Sequence, residues 1–288
     1  MSEASSPAVG VAQADATIEA VTAGSLDEIG TEIARGWTRG DGAWIASEQL
    51  GWLVERLGLK TRTPEGLPLV YFGPARRSGF DRGLSRGLEL LLVAAVFLAG
   101  APLWLLVALL IKLSDRGSVF YRSKRSGLGG APFDFLKFRS LRQCTCRGEC
   151  ACDSDRKRIR QDTIRSGSFE PANDDPDRGA TPVGRLLRRS GLDEVPQFLH
   201  VLTGTMALVG PRPYPLYETE ALKPWHRNRL RGKPGITGLW QVYCYHSVSF
   251  DQSVILDLYY LSNATAWLDL KLILLTPLRM LSGLKKEW

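Results

Sequence analysis

The longest apolar run in the chain covers residues 90–111. No charged side chain occurs in these 22 positions. At 1.5 Å per residue, a straight helix of this length would cover about 33 Å, enough to cross the hydrocarbon core of a bilayer. Pro102, near the centre of the run, removes a helical hydrogen bond and clashes with the preceding turn. The pattern therefore predicts a membrane helix with a central break.

The charges that flank this run are basic on both sides. Basic flanks prefer the cytoplasmic face of a membrane, so a helix that spans the bilayer would have to move one cluster across it. A segment that enters, breaks and returns keeps both clusters on one side. We therefore expect a re-entrant helix within residues 76–116, with a kinked spanning helix as the alternative. The basic residues are Arg76, Arg77, Arg82 and Arg86 before the run, and Lys112, Arg116, Arg122, Lys124 and Arg125 after it.

Shorter amphipathic segments follow the apolar run. Residues 119–127 alternate apolar with polar side chains before a glycine turn, and residues 132–140 interleave aromatic side chains with Lys137 and Arg139. Both patterns indicate strands. Residues 267–277 form an amphipathic helical pattern suited to a membrane interface. The predicted fold class is therefore α+β and mainly helical: a re-entrant membrane segment followed by a compact cytoplasmic catalytic domain, residues 117–288, with amphipathic interface helices.

Residues 1–75 precede the membrane segment and form an N-terminal extension. The first 24 positions are rich in small residues and are predicted to be disordered. Ser25 is a good N-cap for a helix, and the apolar residues between 43 and 57 recur at near-helical spacing. We therefore expect a partly disordered extension with a small helical module.

Composition narrows the choice of partners. A formal net charge of +7 suits an anionic partner, such as nucleic acid, acidic headgroups or nucleotide-sugar phosphates. The long apolar run argues against nucleic acid as the partner. The first residues lack a basic and an apolar region, so no secretory signal is predicted and the default location of the catalytic part is the cytoplasm.

Four cysteines, Cys144, Cys146, Cys150 and Cys152, crowd into a predicted surface insertion at about residues 141–179. Thiolates this close can bind zinc or an iron–sulfur cluster, yet the spacing lacks the paired C-x-x-C of ordinary zinc sites. Metal binding, redox-active or unpaired thiols, and disulfides all stay open.

The candidate chemistry lies at two adjacent carboxylates, Asp193 and Glu194. Pro196 is tolerated in the first turn of a helix, so a helix is predicted to begin near Asp193, with the carboxylates at its positive end. Ser190, three residues before Asp193, also fits a capping box, which would need no chemistry. Successive helical residues point about 100° apart, so the pair suits two separate roles, a nucleophile and a ligand for a divalent cation.

Seven motifs, taken in order behind the proline-broken apolar run, resemble those of the bacterial sugar transferases, more narrowly the monotopic phosphoglycosyl transferases. The resemblance covers about residues 78–283. The motifs lie at residues 119–122, 137–140, 181–185, 192–197, 208–213, 234–238 and 267–271.

The resemblance implies transfer of a sugar 1-phosphate from a UDP-sugar to undecaprenyl phosphate, with release of UMP, at the cytoplasmic face of the bacterial inner membrane. Such a step starts exopolysaccharide, capsule, O-antigen or glycoprotein glycan assembly. It implies that Asp193 is the nucleophile and that Glu194 helps to hold Mg²⁺. The implied substrate-binding residues are Lys137, Arg139, Arg188, Arg212 and Asp269.

Two departures from the family pattern limit the inference. Ala101 precedes Pro102, where the family usually has serine, and residues 242–246 differ from the usual motif in a region that bears on sugar choice. The sugar, the pathway and a homo-oligomeric state therefore stay open. The alternative function is a catalytically inactive membrane-tethered scaffold, or a redox or metal sensor, with the same fold.

Overall fold

The computed structural model describes residues 20–59, 61, 63–74, 77–115, 117–142, 151–168, 179–244 and 248–281, and only the backbone of residues 115, 151–156, 280 and 281. Cys144, Cys146 and Cys150 lie outside these residues, as do residues 1–19 and the side chain of Cys152. The predictions made for them stay predictions.

The described residues form helices and short strands in a mainly helical α+β arrangement, as predicted. The helices are α1 Leu26–Arg39, α2 Gly51–Leu57, α3 Gly79–Asp115, α4 Ala151–Ser166, α5 Pro182–Ser190, α6 Phe198–Leu202, α7 Leu216–Glu220, α8 Leu239–Tyr243, α9 Phe250–Asn263 and α10 Ala266–Leu281. The strands are β1 Ala20–Thr22, β2 Ala43–Ala46, β3 Leu69–Phe72, β4 Phe120–Ser126, β5 Pro132–Phe138, β6 Ala207–Val209 and β7 Gly235–Thr237.

The N-terminal unit contains two helices, α1 and α2, but it also contains three strands that were not predicted from the sequence, so it is a small α/β structure. Ser25 does cap α1, accepting a hydrogen bond from the backbone N–H of Glu28 at 3.2 Å. However, β2 occupies residues that were expected to be helical, and it pairs in parallel with β1 and antiparallel with β3. Because β3 lies more than 20 residues downstream, the local spacing of apolar residues does not predict this pairing.

The N-terminal unit packs on the rest of the chain through α1. Asp27 accepts hydrogen bonds at 2.8 Å from Lys223 Nζ and from Trp225 Nε1, and Lys223 also contacts Asp251 at 2.9 Å. A Cβ at Gly30 would lie 2.2 Å from the Trp225 ring, so glycine is what allows this close approach. Residues 223–231, which are rich in basic side chains, therefore serve in part as an internal docking surface for α1.

Helix α3 contains the predicted membrane segment. It runs for 37 residues and continues through Pro102, so the expected break does not interrupt its helical backbone. It is the one helix, among the described residues, that is long and apolar enough to cross a membrane. Leu91, Leu98 and Leu105 are 68%, 80% and 73% exposed at seven-residue spacing, and this stripe is typical of a lipid-facing surface.

Both ends of α3 contact the same body of the protein. Near its start, Arg86 Nη1 donates to the carbonyl of Val201 at 2.8 Å, and Glu89 Oε1 accepts from the N–H of Leu208 at 2.9 Å. Near its end, Val107 and Ile111 are buried in a cluster with side chains of β5, α5 and the segment before α6. Both ends of α3 are therefore held against these elements.

Two further sheets position the candidate site. Strands β4 and β5 form an antiparallel pair with Tyr121 opposite Lys137, confirming both predicted strands. Strands β6 and β7 form a short parallel pair. Helix α10 confirms the predicted C-terminal helix.

Candidate active site

The two carboxylates lie beside a lysine that comes from a different element. Asp193 and Glu194 lie in a 3-10 turn, Leu192–Gln197, and Lys137 lies near the end of β5. Lys137 Nζ is 2.6 Å from Glu194 Oε1 and 3.8 Å from Asp193 Oδ2. One ammonium group therefore bridges both acids, and the structure brings together three residues that the sequence singled out.

The turn that carries these acids differs from the predicted helix start. Helix α5 ends at Ser190, and Gly191 follows with φ +69°, a left-handed conformation that glycine adopts without strain. Ser190 Oγ donates back to the carbonyls of Leu186 and Leu187. The capping-box interpretation was therefore wrong, because this hydroxyl closes the preceding helix. Residues 192–197 are 3-10, and α-helical geometry begins only at Phe198.

The environment drives the pKa values of the two acids in opposite directions. Burial, assisted by the charge of Glu194, raises the pKa of Asp193 to about 6, although Lys137 and Arg188 offset part of this shift. Burial would also raise the pKa of Glu194, but Lys137 and then Arg212 outweigh it and lower that pKa. Acids separated in this way suit different chemical tasks.

Two predicted arginines act on this acid pair, one on each member. The guanidinium of Arg188, in the last turn of α5, acts on the charge of Asp193, and that of Arg212 acts on Glu194. Arg212 follows β6, and its loop depends on a close approach of two glycines. A Cβ at Gly235 would lie 2.1 Å from the backbone nitrogen of Gly210, so glycine is required there.

Arg125 also lies at the site, although sequence reasoning placed it only among the basic flanks of the apolar run. Its guanidinium carbon is 4.0 Å from the centre of the Phe135 ring, and Nη1 donates to the carbonyl of Pro213 at 2.7 Å. Arg125 and Arg212 influence each other's charge, and both act on Glu194. No local signal in the sequence distinguishes Arg125 from its basic neighbours Arg122 and Lys124.

A histidine that the sequence did not single out holds β5 beside the acids. The backbone N–H of Leu136, next to Lys137, donates to His200 Nε2 at 3.1 Å. The accepting nitrogen must be unprotonated, and burial correspondingly lowers the pKa of His200. His200 also stacks on Phe135, at 6.3 Å between ring centres and an angle of 11° between ring planes. The imidazole therefore fixes the strand that presents Lys137.

Asp269 and Arg139 have other surroundings in the structure. Asp269 is buried, and its carboxylate accepts hydrogen bonds from Tyr260 Oη at 2.7 Å, Arg77 Nη2 at 2.9 Å and Ser85 Oγ at 3.0 Å. This network joins α10 to α9 and to the start of α3. Arg139 is buried against Gly117, where an added Cβ would lie 1.9 Å from its Nη1. A direct role for either residue in substrate binding stays a prediction.

The site offers few protein ligands for a metal ion. No group of three or more histidine, cysteine, aspartate or glutamate side chains forms a metal cluster within the part of the chain that the structure describes. The donor set at the site consists of Asp193 and Glu194. One or two carboxylates, completed by substrate phosphates, is the arrangement by which Mg²⁺ commonly binds. The residues present therefore fit a magnesium ion that arrives with a diphosphate.

The raised pKa of Asp193 predicts the pH dependence of any reaction that needs its ionised form. Activity should rise with pH through about 6, and at pH 5 it should be about tenfold below the plateau. The measurement is the rate of the first chemical step without an acceptor, because the second pKa of a phosphate acceptor also lies near 6. Lys137→Met should move the inflection upward, since the ammonium group lowers this pKa. An inflection near 4 would contradict the prediction.

Comparison with known proteins agrees with this arrangement. The family described as bacterial sugar transferase matches residues 80–283. The chain is 35% identical over 199 residues to the exopolysaccharide production protein ExoY of Sinorhizobium fredii (strain NBRC 101917 / NGR234), covering 66% of this chain and 82% of that protein. The chain therefore belongs to the bacterial sugar transferase family and is a transferase enzyme.

Two further relatives carry a more specific name, UDP-glucose:undecaprenyl-phosphate glucose-1-phosphate transferase. The protein from Escherichia coli (strain K12) is 33% identical over 219 residues, which cover 73% of this chain and 43% of that protein. The one from Caulobacter vibrioides (strain ATCC 19089 / CIP 103742 / CB 15) is 36% identical over 212 residues, covering 71% of this chain and 72% of that protein. The described N-terminal unit, residues 20–74, precedes the region that matches the family.

Proposed function

We propose that this enzyme transfers a sugar 1-phosphate from a UDP-sugar to undecaprenyl phosphate and releases UMP. The single observation that carries the proposal is the contact of Lys137 Nζ with both Asp193 and Glu194. This ammonium group contacts two acids whose pKa values shift in opposite directions. Arginines, which are suited to binding phosphate, act on the same acids, and the chain belongs to a family of sugar transferases. The names of the relatives support undecaprenyl phosphate as the acceptor.

In the proposed first step, a carboxylate oxygen of Asp193 attacks the β-phosphorus of the UDP-sugar. The bond between this phosphorus and the bridging oxygen breaks, and UMP leaves with the electron pair. The enzyme then carries a phosphosugar on Asp193. In the second step, a phosphate oxygen of undecaprenyl phosphate attacks the same phosphorus and displaces the carboxylate.

The charges around Asp193 support this chemistry. An anionic nucleophile approaches an anionic diphosphate, so cations must neutralise the charge that builds up in the transition state. Lys137 and Arg188 act on Asp193, and Arg212 acts on Glu194. Burial raises the pKa of Asp193, so its ionised form is weakly solvated and more basic than an exposed aspartate.

The proposed cofactor is Mg²⁺, bound through Glu194 together with the diphosphate. A divalent cation would supply neutralisation of phosphate charge and orientation of the leaving group. Lys137 Nζ donates to Glu194 Oε1. Among the described contacts, this leaves the other carboxylate oxygen of Glu194 available to a cation. Glu194 keeps a low pKa and therefore stays ionised for this role.

We also propose that α3 enters the cytoplasmic face of the inner membrane and returns to it. Both ends of α3 contact the same body, whereas a straight helix of 37 residues would extend for about 55 Å. Around the proline, Trp104 lies across Gly100 and donates from Nε1 to the carbonyl of Val96 at 3.1 Å.

Cysteine labelling checks this topology. Cells that produce Ser78→Cys or Ser118→Cys should show no reaction with a membrane-impermeant maleimide until the inner membrane is permeabilised, because both ends of α3 face the cytoplasm. The unsubstituted chain is the control for its own cysteines. Labelling of Ser78→Cys or of the natural cysteines in intact cells would instead establish a spanning helix.

The function itself is tested by a screen for UMP release. Purified full-length protein is incubated with Mg²⁺, undecaprenyl phosphate and each of a series of UDP-sugars. We expect at least one sugar to give UMP and a lipid-linked sugar diphosphate in equal amounts. Absence of nucleotide release with every sugar would leave the inactive scaffold as the better explanation.

A further inference from the structure

We infer that Arg125 binds the phosphate of the departing UMP and stabilises it as a leaving group. The inference rests on the proposed function and adds a residue that the motif comparison did not select. It follows from the fixed orientation of the guanidinium, from one unsatisfied nitrogen, and from the division of charge at the site.

The guanidinium of Arg125 is held in place on two sides. One flat face stacks on Phe135, and Nη1 donates to the carbonyl of Pro213, in the segment that directly follows Arg212. The backbone reinforces this position, because Arg125 forms an isolated β-bridge with Pro215 and Ser126 N–H donates to the carbonyl of Tyr214 at 2.9 Å. Arg125 and the Arg212 loop therefore move as one unit.

One nitrogen of the fixed guanidinium group, Arg125 Nε, is buried and has no hydrogen-bond partner among the described residues. A buried unsatisfied donor on a charged group is costly, so it calls for an explanation such as an anionic ligand. Arg125 also lies close to a second cation, since burial and then Arg212 lower its pKa to about 10. Two guanidinium groups placed together gain most when a phosphate binds between them.

The charges at the site divide into two sets. Lys137 and Arg188 are the cations that act on Asp193, whereas Arg212 and Arg125, besides Lys137, act on Glu194. If Asp193 attacks the β-phosphorus in line, the departing phosphate lies on the far side of that phosphorus from Asp193. We place it beside Arg125 and Arg212, the guanidinium groups that act on Glu194. That phosphate gains negative charge as the bridging bond breaks, so a guanidinium there lowers the barrier of the first step. In the second step the lipid phosphate enters opposite the same Asp193 oxygen, at the position that the nucleotide phosphate left, so the guanidinium also acts there.

Two measurements on full-length Arg125→Gln test this assignment. The first is the dissociation constant of UMP by titration calorimetry, which needs no sugar. The second is the rate of adduct formation in a single turnover, compared with the rate at which undecaprenyl phosphate discharges an adduct already formed. We expect UMP binding to weaken at least tenfold and adduct formation to slow about 100-fold. Discharge of the adduct by undecaprenyl phosphate should slow as well, because the lipid phosphate enters at the position that the nucleotide phosphate left.

The matched control is Lys124→Gln, which removes a charge from the adjacent position of β4. Lys124 pairs with Asp134 in an exposed ion pair at 2.9 Å, so this change should alter none of the three quantities. Arg125→Lys keeps a charge and should restore part of the UMP affinity, and it also serves if Arg125→Gln fails to fold. Unchanged UMP affinity, or an unchanged rate of adduct formation, would overturn the inference. Failure of the wild type to form any adduct would instead overturn the proposed function.

Discussion

Asp193→Asn is expected to lower the rate of UMP release by about 10⁴-fold or more, because the amide cannot form the phosphosugar ester on which both half-reactions depend. The variant should still fold, since Asn keeps the shape of the side chain and removes a charge whose burial is unfavourable. The measurement is UMP release per enzyme, with mass spectrometry of the intact protein for the adduct.

The control for this experiment is Asp134→Asn, on strand β5. Asp134 allows the same chemical change at a carboxylate that is 62% exposed and pairs with Lys124 on the surface. Its turnover should match that of the wild type. If Asp193→Asn kept the turnover of Asp134→Asn, Asp193 would lose the role of nucleophile, and a direct attack by undecaprenyl phosphate would become the simpler mechanism.

Asp257→Ala is expected to cause the largest loss of stability, about 3–5 kcal/mol, enough to prevent folding in many proteins. Asp257 and Arg229 are each 1% exposed, and Asp257 Oδ2 accepts from Arg229 Nε at 2.9 Å and from Nη2 at 2.5 Å. Removal of the acid leaves a buried guanidinium beside the ring of Tyr214, 3.7 Å away, with the charge of Glu218 as a weaker influence. The midpoint of thermal unfolding in detergent measures the effect.

The double variant Asp257→Leu with Arg229→Met gives the comparison for this loss. Apolar side chains of similar volume often replace a buried ion pair at little cost, so the double variant should be clearly more stable than Asp257→Ala. Equal stability of the two would show that packing at this position, not an uncompensated charge, controls the loss. Asp134→Asn again serves as the surface control, with an expected change below about 0.5 kcal/mol.

Helix α10 and the N-terminal unit show which elements can be predicted from the local spacing of apolar residues. The helical spacing in residues 267–277 predicted α10, because one face of that helix packs and the other is exposed, and this difference shows in the sequence. The local sequence of strand β2 showed no comparable pattern. Its four residues become a strand because β1 and β3 flank it, and that pairing joins distant segments.

The role of Asp269 shows a second limit of sequence reasoning. Motif resemblance selected this acid because of its neighbours in the chain. Its observed partners, Arg77, Ser85 and Tyr260, come from three other elements. A carboxylate that accepts three hydrogen bonds is well satisfied by the protein itself, and only the packed structure reveals those donors.

By itself, the sequence determined the apolar helix, the strands β4 and β5, and the acid pair with its nearby arginines, because each is encoded in side chains that are close in the chain. Tertiary structure alone decided that Lys137 bridges Asp193 and Glu194, that Arg125 joins them, and that both ends of α3 contact one body. Charges interact over a few ångströms regardless of chain separation. Their pKa values and roles are therefore set by which elements pack together, and local residue order does not contain that information.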